Sequence, residues 1–188
     1  MYVLLAGALV LSLVTINAKA GGDNGRFSVG AEAALPMGTF GDGYSLGVGG
    51  SLRYEMPMGD NLGLTATAGY ISFSGKSVAG YTAPSYSMIP IQVGAKYYFQ
   101  EQQNGFYGMV ELGVHSLSYK VNLPSINYTT GAVTYTETTF TATDLSFAPE
   151  VGYMLANVDI GLRYQIISST GGSTSYLGVR LAYVFGEK

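Results

Sequence analysis

Polarity alternates residue by residue along most of this chain, and that alternation narrows the folds open to it more than any motif does. Eight stretches, at 26–36, 44–56, 61–74, 86–100, 105–121, 142–155, 157–168 and 175–186, carry apolar or aromatic residues on one parity and Gly, Ser, Thr, Gln or charged residues on the other. In the second, Tyr44, Leu46, Val48, Leu52, Tyr54 and Met56 alternate with Ser45, Gly47, Gly49, Ser51, Arg53 and Glu55. Residues two apart share a face of a strand, so each stretch reads as a strand with one apolar and one polar side. Glu32, Arg53, Glu55, Lys96, Glu111, Glu150, Asp159, Arg163 and Arg180 all take the polar parity. A soluble barrel hides its apolar face inside. This pattern fits the reverse, an all-β barrel with lipid outside and polar groups within.

Composition closes off other classes. With 47% hydrophobic and 11% charged residues the chain can bury a core, so disorder is excluded. Its 27 glycines are too irregularly spaced for a collagen helix, and the absence of cysteine excludes a disulfide scaffold and Cys-based metal sites. A net charge of −3 with no basic cluster argues against nucleic acid as a partner. Residues 2–16 are almost wholly apolar and precede Ala18-Lys19-Ala20, the form of a leader core with its cleavage site. Residues 1–20 are therefore expected to be a signal peptide and 21–188 a single barrel domain. The leader departs from the usual form in having no Lys or Arg before Lys19. As a membrane helix it falls short of the ~20 residues that a span needs.

The stretches suit tilted strands crossing a bilayer, which need about 9–11 residues each. Their connections alternate: residues 37–43, 75–85, 122–141 and 169–174 are long, whereas 57–60, 101–104 and Ala156-Asn157 are short. That is the arrangement of an up-and-down antiparallel barrel with an even strand number, both termini periplasmic and the long loops extracellular. Aromatic residues of lipid parity gather near the strand ends. Phe27, Tyr54, Tyr97, Phe99, Phe106, Tyr153, Tyr183 and Phe185 lie on the short-turn side, and Tyr44, Tyr70 and Tyr164 on the other. A tyrosine ring can sit in lipid while its hydroxyl stays wet, so these read as two interfacial girdles.

On these residues the chain resembles the small eight-stranded outer-membrane barrels, the outer membrane protein β-barrel domain family of the OmpX and OmpA transmembrane-domain type. The resemblance spans residues 26–186 and is most family-like in the last strand, where Leu177, Val179, Leu181, Tyr183 and Phe185 alternate with small or polar residues. It implies a bacterial outer-membrane location, and recognition of that strand by the barrel-assembly machinery. The ending Phe185-Gly186-Glu187-Lys188 departs from members that close on the aromatic itself.

The polar parity supplies the candidate interior: five acids and four bases, joined by Gln92, Gln165 and His115. Eight strands enclose a lumen that side chains can fill, and an unpaired charge there is costly. A paired, filled interior is the expectation. A strand slipped by one residue would turn its charges into lipid, at about 2–4 kcal/mol for each midplane Arg or Lys, so these residues also fix register. His115 lies near Glu111, Ser116 and Ser118, a set similar to that of lipid A deacylases. The His-x-Ser spacing would need serine at Leu117, and Ser116 and Ser118 have the opposite parity, so catalysis is not expected. Gly47, Gly49 and Gly50 lie in a strand with no helix after them, and serve bending and room rather than nucleotide binding. Pro149 cannot donate a ladder hydrogen bond and predicts a bulge or kink in strand six.

The third long connection is the candidate contact loop. Tyr128, Thr130, Gly131 and Tyr135 read as a turn flanked by strand formers, so the strands on either side are expected to run on as a protruding hairpin, interrupted at Pro124. The expected function is that of a non-enzymatic surface barrel without cofactors, its extracellular loops serving surface contacts or envelope integrity. Its partners would be the lipid bilayer and a protein held at 122–141. A narrow passive pore is the alternative, and a lipid A-modifying enzyme a more remote one.

Overall fold

The computed structural model describes residues 25–78, 81–126 and 133–185. The proposed signal peptide, Tyr128, Thr130 and Gly131 lie outside the described residues. Eight long strands close a barrel: β1 (Arg26–Met37), β2 (Tyr44–Pro57), β3 (Leu62–Gly75), β6 (Tyr86–Tyr98), β7 (Gly105–Ile126), β8 (Val133–Leu155), β9 (Val158–Ser169) and β10 (Gly172–Phe185). Two short strands, β4 (Ser77–Val78) and β5 (Tyr81–Thr82), pair with each other within the second connection. The order around the ring is β1-β10-β9-β8-β7-β6-β3-β2, each stave antiparallel to its neighbours. Closure leaves no edge in the wall, as lipid requires. One end, the terminus end, carries Arg26 and Phe185; the other, the hairpin end, carries the β7–β8 connection.

Burial alternates as parity predicts. Along β1 the sequence RFSVGAEAALPM alternates between inward and outward positions at nearly every residue. Outward-facing Phe27, Val48, Leu52, Leu112, Val151 and Leu181 form an apolar outer band. At the terminus end the aromatic residues pair as Phe27–Tyr54, Tyr97–Phe99, Phe106–Tyr153 and Tyr183–Phe185, with ring centroids 4.7–5.7 Å apart. Such pairs add about 0.5–1.5 kcal/mol each beyond burial in soluble cores. Tyr70 and Tyr164 also face outward near the opposite rim.

Several local expectations are corrected. Residues 169–174 form a tight turn rather than a long loop, with Gly172 paired to Ser169 and Gly171 at φ +96°. The strands run on through 122–126 and 133–141 as the hairpin reading expected, but Pro124 does not interrupt them, being in register with Tyr135. Pro149 makes no bulge: β8 pairs with β9 in one register on both sides of it, the ladder merely omitting Ala148 and Pro149. The first connection folds into a short helix, α1 (Gly38–Gly43). Tyr44 leaves the outer girdle, because the β2–β3 register shifts between Tyr44 and Gly47; its ring lies 5.4 Å from Tyr86 and 4.9 Å from Phe40 at the barrel mouth.

Candidate functional site

The lumen is layered. Its middle is ionic, because the inward residues of each stave at that level are charged or hydrogen-bonding. All twelve polar side chains assigned to the interior from parity, from Glu32 to Arg180, are buried. The Arg53 guanidinium on β2 reaches Glu150 on β8, four strands away in either direction, so this pair spans the full width of the lumen. It does so as a fork, Nη1 and Nη2 each donating at 3.0 Å. Arg53 Nε also donates to Thr67 (3.0 Å), whose hydroxyl donates to Glu111 (2.6 Å). Lys96 donates to Asp159 at 3.0 Å and lies 3.8 Å over the Tyr107 ring. The Tyr107 hydroxyl stands 2.7 Å from Asp159 and 2.9 Å from Glu150. That ring needs the bare backbone of Gly152, where a Cβ would fall 2.3 Å from it.

Two further groups complete the layer. Arg163 donates to Glu32 (3.0 Å), and Arg180 donates to Ser51 (2.9 Å), whose hydroxyl in turn donates to Glu32 (2.6 Å). Toward the terminus end, Arg26 donates to Glu55 and to Gln103, both at 2.7 Å. Arg26 has the polar parity of β1, and its buried position at the strand's first residue is a member that the sequence reading missed. With it, five cations (Arg26, Arg53, Lys96, Arg163, Arg180) face five carboxylates (Glu32, Glu55, Glu111, Glu150, Asp159) inside the barrel.

Apolar clusters flank the ionic contacts toward both ends, which parity alone did not reveal. At the terminus end Tyr98, Tyr107, Met109, Met154 and Val184 pack together. At the hairpin end Ala34, Ile71, Phe73, Met88, Leu117, Ile167 and Tyr176 form a second cluster, covered by Phe40, Tyr44 and Tyr86. Phe73 lies against β2 where Gly47 provides room; a Cβ there would sit 2.5 Å from its ring. The signal that could have found this cluster is the run of apolar residues at inward positions near one end of the staves. His115 sits between the ionic layer and this cluster, its ring 6.4 Å from that of Tyr176. The adjacent serines point elsewhere: the Ser118 hydroxyl faces Thr141 on the exposed side.

At the hairpin end β7 and β8 run past the wall, staying paired from Gly105–Met154 to Ile126–Val133. Their neighbours stop early: β6 pairs with β7 no further than Tyr86–Tyr119, and β9 with β8 no further than Leu145–Ser168. Beyond these points the hairpin has two open strand edges among the described residues. It carries a stacked Tyr119–Phe140 pair (5.3 Å) and an exposed Lys120–Glu137 ion pair (2.7 Å). Tyr135 belongs to its β8 strand.

Residues 6–185 match the model of the outer membrane protein β-barrel domain family. Among solved structures the chain is similar to Ail, the attachment invasion locus protein of Yersinia pestis, in complex with the heparin analogue sucrose octasulfate. That match has 12% identity and a TM-score of 0.58 over 87% of this chain and 99% of that one. It is also similar to the N-terminal β-barrel domain of Pseudomonas aeruginosa OprF, with 13% identity and a TM-score of 0.54 over 87% of this chain and all (100%) of that one. No curated protein sequence matches the chain.

Proposed function

The chain belongs to the outer membrane protein β-barrel domain family, and from that premise we propose that it is a non-enzymatic surface barrel whose protruding hairpin captures an extended segment of another protein. Family membership places it in the bacterial outer membrane. The hairpin end faces outward in this reading and both chain ends face the periplasm, with the last strand read by the assembly machinery.

One observation carries the proposal: the β7–β8 ladder outruns both neighbours and leaves two open edges. Strand edges are usually blunted because they add further strands readily; an exposed pair held on a rigid barrel is a template for strand addition. The interior gives the rest of the reading. The Arg53–Glu150 fork crosses the lumen and apolar clusters lie on both sides of it, so steady conductance is not expected. A polysulfated ligand like the one in the Ail complex finds no cationic cluster among the described residues of the hairpin end. Lys76 donates to the carbonyl of Gly41 and Lys120 is paired with Glu137.

The test replaces 120–139 with a two-residue Asn-Gly turn. The shortened barrel should still shift in gel mobility on boiling, while bacteria displaying it lose the adherence or self-association that the full chain confers. Equal adherence by the two would remove the hairpin from the function.

A further inference from the structure

At the hairpin end the inward side chains change from polar to apolar at one level on several staves: His115 to Leu117 on β7, Gln165 to Ile167 on β9, and Thr67 to Ile71 on β3. The result is a cup with greasy walls and a polar floor. The floor is left incomplete by the protein. Both ring nitrogens of His115, Oε1 of Gln92 and of Gln165, and Nε and Nη1 of Arg163 have no hydrogen-bond partner, although these side chains are at most 2% exposed. Tyr176 joins floor to wall: its hydroxyl is 3.5 Å from Arg163 Nη2, and its ring 6.0 Å from Phe73.

The cup has a lid. Phe40 on α1 packs edge-on against Phe73 (5.1 Å) and Tyr86 (5.5 Å). α1 is six residues long, has no side-chain cap, and contains Gly38 at φ +56° along with Gly41 and Gly43. It is tied to the second connection by Lys76, whose amine donates to Gly41 O (2.5 Å) and whose backbone N–H donates to Gly43 O (2.8 Å).

We propose that this end of the lumen is a ligand site shown closed, with Phe40 occupying the place of the ligand's apolar body. Binding sites are mostly apolar with a few polar groups, and here apolar walls stand over buried polar groups left without partners. The head group follows from charge and hydrogen-bond chemistry. Five interior cations already face five carboxylates, so a charged guest would be unbalanced in the lumen. The floor offers donors on Arg163 and acceptors on Gln92 and Gln165, so the head must both accept and donate. The ligand class is a small neutral amphiphile, an aliphatic chain ending in a hydroxyl.

The probe is 1-octanol, with octanoate and octylammonium as charged controls, titrated into the full barrel in phosphatidylcholine nanodiscs carrying 13C-methyl methionine. Met88 lines the cup, Met109 and Met154 lie in the opposite cluster, and Met37 faces outward. Octanol should shift the Met88 methyl saturably while Met109, Met154 and Met37 stay in place, and the charged controls should leave Met88 unmoved. Phe40→Ala should tighten binding at least threefold, and His115→Phe should weaken it at least tenfold, in barrels that still shift on boiling. An unmoved Met88, a non-saturating shift shared with Met37, or equal binding of the charged chains would overturn the proposal. If neither variant folds, the wild-type titration decides alone.

Discussion

The middle of the lumen and its hairpin end are equally shielded from water, yet opposite forces hold them. The middle is a chain of directed contacts in which Arg53 touches Glu150, Thr67 and Glu111 within 3.5 Å. Removing one member leaves its partners charged and dry. The hairpin end is held by the fit of Ile71, Phe73, Met88, Leu117 and Ile167, where removing one leaves only a gap. The difference teaches that an eight-stranded barrel can assign different tasks to different levels of one narrow lumen: register and closure to the ionic layer, an adaptable surface to the apolar one.

The largest expected effect tests the ionic side. Arg53→Met should cost about 3–5 kcal/mol, since it strands the carboxylates of Glu150 and Glu111; urea unfolding in lipid vesicles measures it. Replacing Arg53 and Glu150 together by Met should cost well below the sum of the two single changes, with a coupling of about 1–3 kcal/mol. An additive result would break the contrast, because pairing would then carry no energy. Next, Phe73→Ala at the hairpin end should cost about 3 kcal/mol as a cavity, without coupling to Arg53. Smaller still, Ile167→Val should cost about 1 kcal/mol, and a larger loss would mean that the apolar layer is as unforgiving as the ionic one. Last, Lys120→Ala on the exposed hairpin should leave the unfolding midpoint unchanged, since a solvated pair contributes little; a clear shift would mean that the hairpin is part of the barrel's stability.

How far the molecule is legible in its sequence depends on the range of the signal. Facing is local: a strand turns each side chain opposite to the last, so Glu111 inward and Leu112 outward can be read from neighbouring residues. The terminus-end aromatic positions are legible for the same reason. Tyr44 is not, because a register shift beside Gly47 breaks the parity count. The end of a strand is also poorly marked. Residues 122–126 carry turn-like Asn122 and Pro124, yet pairing between β7 and β8 continues through them. Arg26 was missed at the first position of β1, where parity has only one neighbour to support it. The sequence gives no direct sign that Pro149 leaves the register intact, since that depends on the strands around it.

By itself, then, the amino-acid order determined which face of each stave meets lipid, where the aromatic belts lie and that the charges point inward, since these follow from a period of two residues. Tertiary structure alone decided the partners. Arg53 and Glu150 are 97 positions apart, and what brings them together is ring closure and the stagger of the strands, which set the height of every inward residue. The same stagger aligns Ile71, Met88, Leu117 and Ile167 from four staves into one apolar level beneath Phe40. No local period encodes height along the barrel axis, so the layering, the lid and the open hairpin edges exist only once the sheet has closed.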